Sequence, residues 1–145
     1  MIQLTSEHEA AIGAHGERDY PYECCGLLLG RFDKDGLKVT CETYVISNAR
    51  EEAAKRNRFL ITPEEMLRGE RYAAEKQLEV VGFYHSHPDH PSAPSEYDRD
   101  HAWPIFSYII LSVQKGQAQD IRSWTLKSDR SAFEQEEILK GSSPC

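Results

Sequence analysis

The alternation of strand-like runs with a helix start that can be read to the residue constrains this chain more than any other feature. Thr62-Pro63-Glu64-Glu65 offers a capping side chain, a proline where the helix needs no N–H, and acid in the first turn. A helix therefore begins there, and it is predicted to run to about Gln77. Residues 24–30 read as a buried strand, and 37–47 as its partner across the turn at 33–36. Residues 78–84, rich in valine and aromatics, form another, and the unbroken apolar run within 107–113 predicts a central strand. Residues 59–61, 118–126 and 133–139 complete the strand set. A first helix is expected over 5–19, capped by Thr5, with Glu7 and Glu9 in its first turn and Pro21 beyond its end. Ser95 is expected to open a short helix reaching about Ala102. Strands interleaved with two or three helices define an α/β (α+β) domain, a mixed β-sheet flanked by helices.

A chain of 145 residues fits one domain, here placed at 1–139, with 140–145 as a flexible tail. The net charge of −7 offers no basic face for a nucleic acid. No apolar run is long enough to span a membrane. The first residues lack the basic-then-apolar layout of a signal peptide, so a cytoplasmic location is expected. Cys24, Cys25, Cys41 and Cys145 contain no CxxC pair and are expected to be reduced thiols. Residues 48–58 carry four basic and two acidic side chains and no large apolar one, which marks a surface loop and a candidate substrate flap.

The chemistry concentrates at His85-Ser86-His87-Pro88. On a strand, residues two apart face one side, so both imidazoles address one point while Ser86 faces the other way. Asp98 follows at the third position of the helix that Ser95 can cap. Two histidines, a carboxylate and room for water make the donor set of a catalytic rather than a structural zinc site. Taken singly, each part has a plainer reading: surface histidines that bind nothing, and a helix cap with its acidic partner. There is no HExxH, and no HxE with PCxxC, so two other zinc chemistries are excluded. His90 and His101 lie nearby. His101 is expected to support the site or face solvent rather than ligate. His8 and His15, on the first helix, are expected at the surface, and Trp103 and Tyr108 in the core.

The pattern His85-x-His87-x7-Ser95-x-x-Asp98 resembles the JAMM (MPN+, Mov34/PAD-1) metalloprotease family, in its bacterial single-domain branch. Glu23, in Tyr20-Pro-Tyr-Glu-Cys-Cys-Gly-Leu-Leu-Leu-Gly30, matches the upstream glutamate of that family, and the likeness extends over residues 1–139. The resemblance implies a cytidine-deaminase-like sheet with zinc (Zn2+) held by His85, His87 and Asp98. It implies Glu23 as the group that takes a proton from the attacking water, and Ser95 as a hydrogen-bond donor to the tetrahedral oxyanion. It also implies the reaction, hydrolysis of an amide bond after the C-terminal tail of a small ubiquitin-like (sulfur-carrier) protein. Two alternatives stay open: a module that binds such a partner without cutting, and a general small-peptide or amide hydrolase.

Overall fold

A computed structural model of the chain describes residues 1–48, 60–142 and 145. The candidate flap at 48–58 therefore lies, Asn48 apart, outside the described residues. Among the described residues, eight strands form one mixed sheet. In chain order they are β1 (Ile2–Thr5), β2 (Cys25–Phe32), β3 (Lys38–Ile46), β4 (Glu79–Pro88), β5 (Ser107–Gln114), β6 (Gln117–Leu126), β7 (Phe133–Glu136) and β8 (Ile138–Gly141). Their order across the sheet is β7-β6-β5-β4-β2-β3-β1-β8. Among the same described residues three helices accompany them: α1 (Ser6–Asp19), α2 (Pro63–Glu75) and α3 (Glu96–Asp100). The expected mixed sheet with flanking helices is what the chain forms.

The helix starts follow the capping signals. Thr62 accepts the Glu65 N–H at 3.2 Å, with Pro63 opening α2. Thr5 accepts the His8 N–H, and His8 Nδ1 accepts the Thr5 N–H in return, so an imidazole completes a capping box normally closed by Glu or Gln.

Alternation along β2 divides the core. Leu28 joins Ile12, Val81, Tyr84, Ile109 and Leu111 beneath α1, while Leu27 and Leu29 join Ile46 and Ala73 beneath α2. Glycines let the layers close. A Cβ at Gly16 of α1 would stand 2.4 Å from Leu111, and one at Gly69 of α2 would stand 2.3 Å from Leu27.

The structure corrects several expectations. The single strand expected over 133–139 is two strands at opposite edges of the sheet, joined through Glu137, whose carbonyl accepts the Ile2 N–H. The sheet therefore curls until its edges approach, and α1 lies in its hollow against β1, β3, β4, β5 and β6. That packing buries His8 and His15, which were expected at the surface. His8 Nε2 meets the Cys41 carbonyl at 3.1 Å, and His15 bonds the Tyr84 hydroxyl at 2.7 Å and Asp19 at 3.2 Å.

The expected frayed tail is also wrong in part. Lys140 and Gly141 continue β8, which pairs with β1. Cys145 forms a disulfide with Cys41, with Cα atoms 5.3 Å apart, where free thiols were expected. Cys24 and Cys25 are free and buried, as expected, and burial pushes the Cys24 thiol up to about 12. Leu60 and Ile61 form no strand, and α3 ends at Asp100 rather than Ala102. Finally, Trp103 is 62% exposed, not core, whereas Tyr108 is buried and its hydroxyl oxygen accepts the Trp103 N–H at 2.8 Å. Among the described residues, no helix is long and apolar enough to cross a membrane.

Candidate metal and catalytic centre

Two pairings and one cap build the site. β2 and β4 run antiparallel with Cys25 opposite His85, so the residues just ahead of β2 reach the histidine end of β4. β4 and β5 run parallel, with His85 beside Ile110 and His87 beside Ser112, which holds the histidine strand in the interior of the sheet. Asp98 is the third residue of α3. Ser95 Oγ accepts the Asp98 N–H at 3.1 Å, and Asp98 Oδ2 accepts the Ser95 N–H at 2.9 Å. This reciprocal cap fixes the Asp98 rotamer and turns its carboxylate inward.

The result is a convergence of donors. The Nε2 atoms of His85 and His87 are 3.1 Å apart. Asp98 Oδ1 is 3.3 Å from His85 Nε2, and Oδ2 is 3.2 Å from His87 Nε2. Glu23, His85 and His87 each present a ligand atom within 4.8 Å of the others. His85 is 1% exposed, Glu23 4% and His87 8%.

The donor set suits a divalent cation. Nitrogen and oxygen donors bonded at ~2.0–2.1 Å to one tetrahedral centre stand about 3.3–3.4 Å apart. The observed separations of 3.1–3.3 Å come close to that without rearrangement. The tautomer of His87 fits too. Its Nδ1 lies 2.9 Å from the Pro91 carbonyl, which can only accept, so Nδ1 carries a proton and Nε2 is the nitrogen left to face the site.

Electrostatics follow from burial and proximity. Burial pushes the Glu23 carboxyl up to about 7, with His85 and His87 pulling the other way and Asp98 adding to the rise. Burial would also raise Asp98, but the charge and hydrogen bond of His85, the hydrogen bond of His87 and the Ser95 N–H hold it well below the usual carboxylate range. Burial disfavours the charged form of His85, yet Asp98 outweighs it and raises that imidazole.

Glu23, His87 and Ser95 open onto a cleft of about 490 Å³, together with His90, Pro91, Ala93, Glu96 and Tyr97. The structure thus brings together all five residues singled out in the sequence: Glu23, His85, His87, Ser95 and Asp98. His90 is at the cleft wall. His101 is not among the converging donors; it stacks on Tyr97 with ring centroids 4.0 Å apart, and its Nδ1 lies 2.8 Å from the Tyr97 carbonyl. Beyond Tyr97 an apolar cavity of about 420 Å³ is lined by residues that include Met66, Phe83, Trp103 and Phe106. Sequence reasoning missed this cavity because its walls come from three separated stretches, 60–66, Phe83 and 97–108.

Comparison with known proteins places the chain in a class. Residues 5–127 match the family described as prokaryotic homologs of the JAB domain, and the chain belongs to it. It is 39% identical over 110 residues to the desampylase of Haloferax volcanii, covering 75% of this chain and 72% of that protein. A protein from Desulfitobacterium hafniense, solved in solution, superposes with a TM-score of 0.83 at 30% identity, over 97% of this chain and 93% of that one. A JAB1/MPN domain protein from Archaeoglobus fulgidus shares the fold, with a TM-score of 0.56 at 19% identity over 96% of this chain and 98% of that one. The resemblance read from the motif is borne out, and the chain is a hydrolase of isopeptidase type.

Proposed function

We propose that this protein is a zinc-dependent peptidase or isopeptidase that hydrolyses the amide bond after the C-terminal tail of a small ubiquitin-like, sulfur-carrier-type protein in the cytoplasm. The observation that carries this reading is the meeting of three converging donors with a buried carboxyl, Glu23, of raised pKa, at one open cleft. The likeness to a desampylase supports a conjugated protein modifier as the substrate class.

In this reading His85, His87 and Asp98 hold the metal. A bound zinc ion would supply Lewis acidity and a water acidified toward neutrality. Glu23 takes the proton of the attacking water and delivers it to the leaving amine, a role that suits a carboxyl poised near 7. Ser95 accepts the Asp98 N–H through an oxygen lone pair, which leaves its own O–H to donate to the oxyanion of the tetrahedral intermediate. Capping and oxyanion stabilisation are thus compatible on one hydroxyl.

The test is metal analysis of the purified protein, followed by incubation with a small sulfur-carrier protein extended at its C-terminus. Release of the extension, abolished by a chelator and restored by zinc, is expected. Recovery of intact substrate in a stable complex with zinc-loaded protein would instead identify a binding module. Cleavage of short peptides with the carrier protein left intact would identify a general peptidase.

A further inference from the structure

Glu23 lies outside the sheet ladder, since β2 begins at Cys25. Its position is nonetheless fixed by both polar groups of a single peptide plane. The Glu23 carbonyl accepts from Asn48 Nδ2 at 3.0 Å. The N–H of the same plane, that of Cys24, donates to Ser86 Oγ at 2.8 Å. A backbone bond from the Ser86 N–H to the Cys24 carbonyl, 3.2 Å, adds a further tie. Ser86 and Cys24 are fully buried.

We propose that Ser86 and Asn48 are positioning residues that clamp the Glu23–Cys24 peptide and so aim the Glu23 carboxyl at the His85, His87 and Asp98 cluster. The inference rests on the reading of Glu23 as the group that moves the proton. A peptide plane flanked by rotatable backbone bonds can pivot about its length, which swings the preceding side chain. Here any pivot breaks two hydrogen bonds at once and leaves buried polar groups unsatisfied. The clamp also explains the residue between the two histidines. Ser86 faces away from the cluster, so the strand that presents both imidazoles holds the carboxyl's backbone through its other face.

Asn48 has a second bond, accepting the Leu60 N–H at 3.0 Å through Oδ1. Its two functions are separable by chemistry. Asn48→Ala removes both bonds. Asn48→Asp keeps an oxygen for Leu60 and replaces the donor facing the Glu23 carbonyl with an acceptor.

The experiment measures kcat and KM on the extended carrier protein for zinc-loaded wild type, Asn48→Ala, Asn48→Asp, Ser86→Ala and the double variant Ser86→Ala/Asn48→Ala. A misaimed catalytic group lowers kcat, on the order of 10- to 100-fold. Both Asn48 variants are expected to lose kcat by about that factor, with KM and bound zinc near wild type. The double variant should lose less than the product of its single losses, because both side chains act on one peptide. Wild-type kcat in Asn48→Asp alongside a loss in Asn48→Ala would overturn the clamp. Multiplicative losses would overturn it as well. If Ser86→Ala fails to fold, the two Asn48 variants decide the matter. Glu23→Gln run in parallel separates the two layers: full turnover there removes the underlying reading, whereas its loss with unaltered kcat in Asn48→Ala removes only the clamp.

Discussion

Cys25 of β2 stands opposite His85 of β4, and this one antiparallel register brings Glu23, two residues upstream, to the histidine pair from the other side of the sequence. A slip of one residue would turn Glu23 to the opposite face. The first prediction concerns that carboxyl. Glu23→Gln keeps the size and the backbone clamp but cannot take a proton, so turnover should fall by roughly 10²–10⁴ while bound zinc is retained. Retention of full activity in a cleavage assay would remove Glu23 from the mechanism.

Stability of the metal-free protein should depend on the same residue. A carboxyl with a raised folded pKa contributes stability that is present at low pH and is lost as pH rises through the folded value, here about 7. After chelation, Glu23→Gln should therefore be more stable than wild type above pH ~7, by up to roughly 3 kcal/mol, with no such gain below pH ~4. Zinc should shrink the gain, because a cation beside the carboxyl favours its ionised form. Urea unfolding of chelated protein at both ends of this range checks the sign; an equal gain at both ends would contradict it.

Asp98 serves two ends of one side chain, accepting the Ser95 N–H and facing both histidines. Asp98→Asn can keep the cap through its amide oxygen but loses the charge. It should lower zinc content as Asp98→Ala does, while sparing about 1 kcal/mol of the helix-capping stability lost in Ala. Full zinc occupancy of Asp98→Asn, by elemental analysis, would argue against its role as a ligand.

In chelated wild type, the depressed Asp98 pKa and the raised His85 pKa define a window. The Asp98 contribution is lost as pH falls below the usual carboxylate range, and the His85 contribution as pH rises past the usual imidazole value. Their ion pair should support the metal-free fold most between about pH 4 and 6.5. Asp98→Asn should flatten that maximum in a pH series of thermal melts, and an unchanged profile would count against the pair.

Ser95→Ala should cost about 1 kcal/mol of stability from the lost cap and, separately, ~10²–10³ in kcat from the lost donor. Ser95→Thr keeps both functions and should recover most of each loss. A kcat loss confined to the size expected from destabilisation would leave Ser95 as a cap only.

The Cys41–Cys145 bridge closes a sequence separation of 104 residues. Reduction, or Cys145→Ser, should lower the unfolding free energy by roughly 2–5 kcal/mol without altering kcat, because the bridge lies away from the cleft residues. Intact-mass measurement before and after reduction tests the bond itself, and denaturant melts test its weight.

Much of the fold was legible because its signals are local. The Thr62-Pro63 start of α2, the Thr5 cap of α1 and the apolar run inside β5 are set by neighbours a few residues away. The convergence of His85, His87 and Asp98 was legible for the same reason, since strand alternation and a helix cap fix where each side chain points. Glu23 was different: resemblance selected it, and only the β2–β4 register gave it a physical reason. The sequence by itself determined α1, α2 and the central strands, the histidine pair and the capped aspartate. Tertiary structure decided which distant carboxyl meets them, how Asn48 and Ser86 hold its peptide, that α1 lies in a curled sheet with His8 and His15 buried, and that Cys41 meets Cys145. Those outcomes depend on strand pairing and sheet curvature between segments far apart in the chain, which no local spacing encodes.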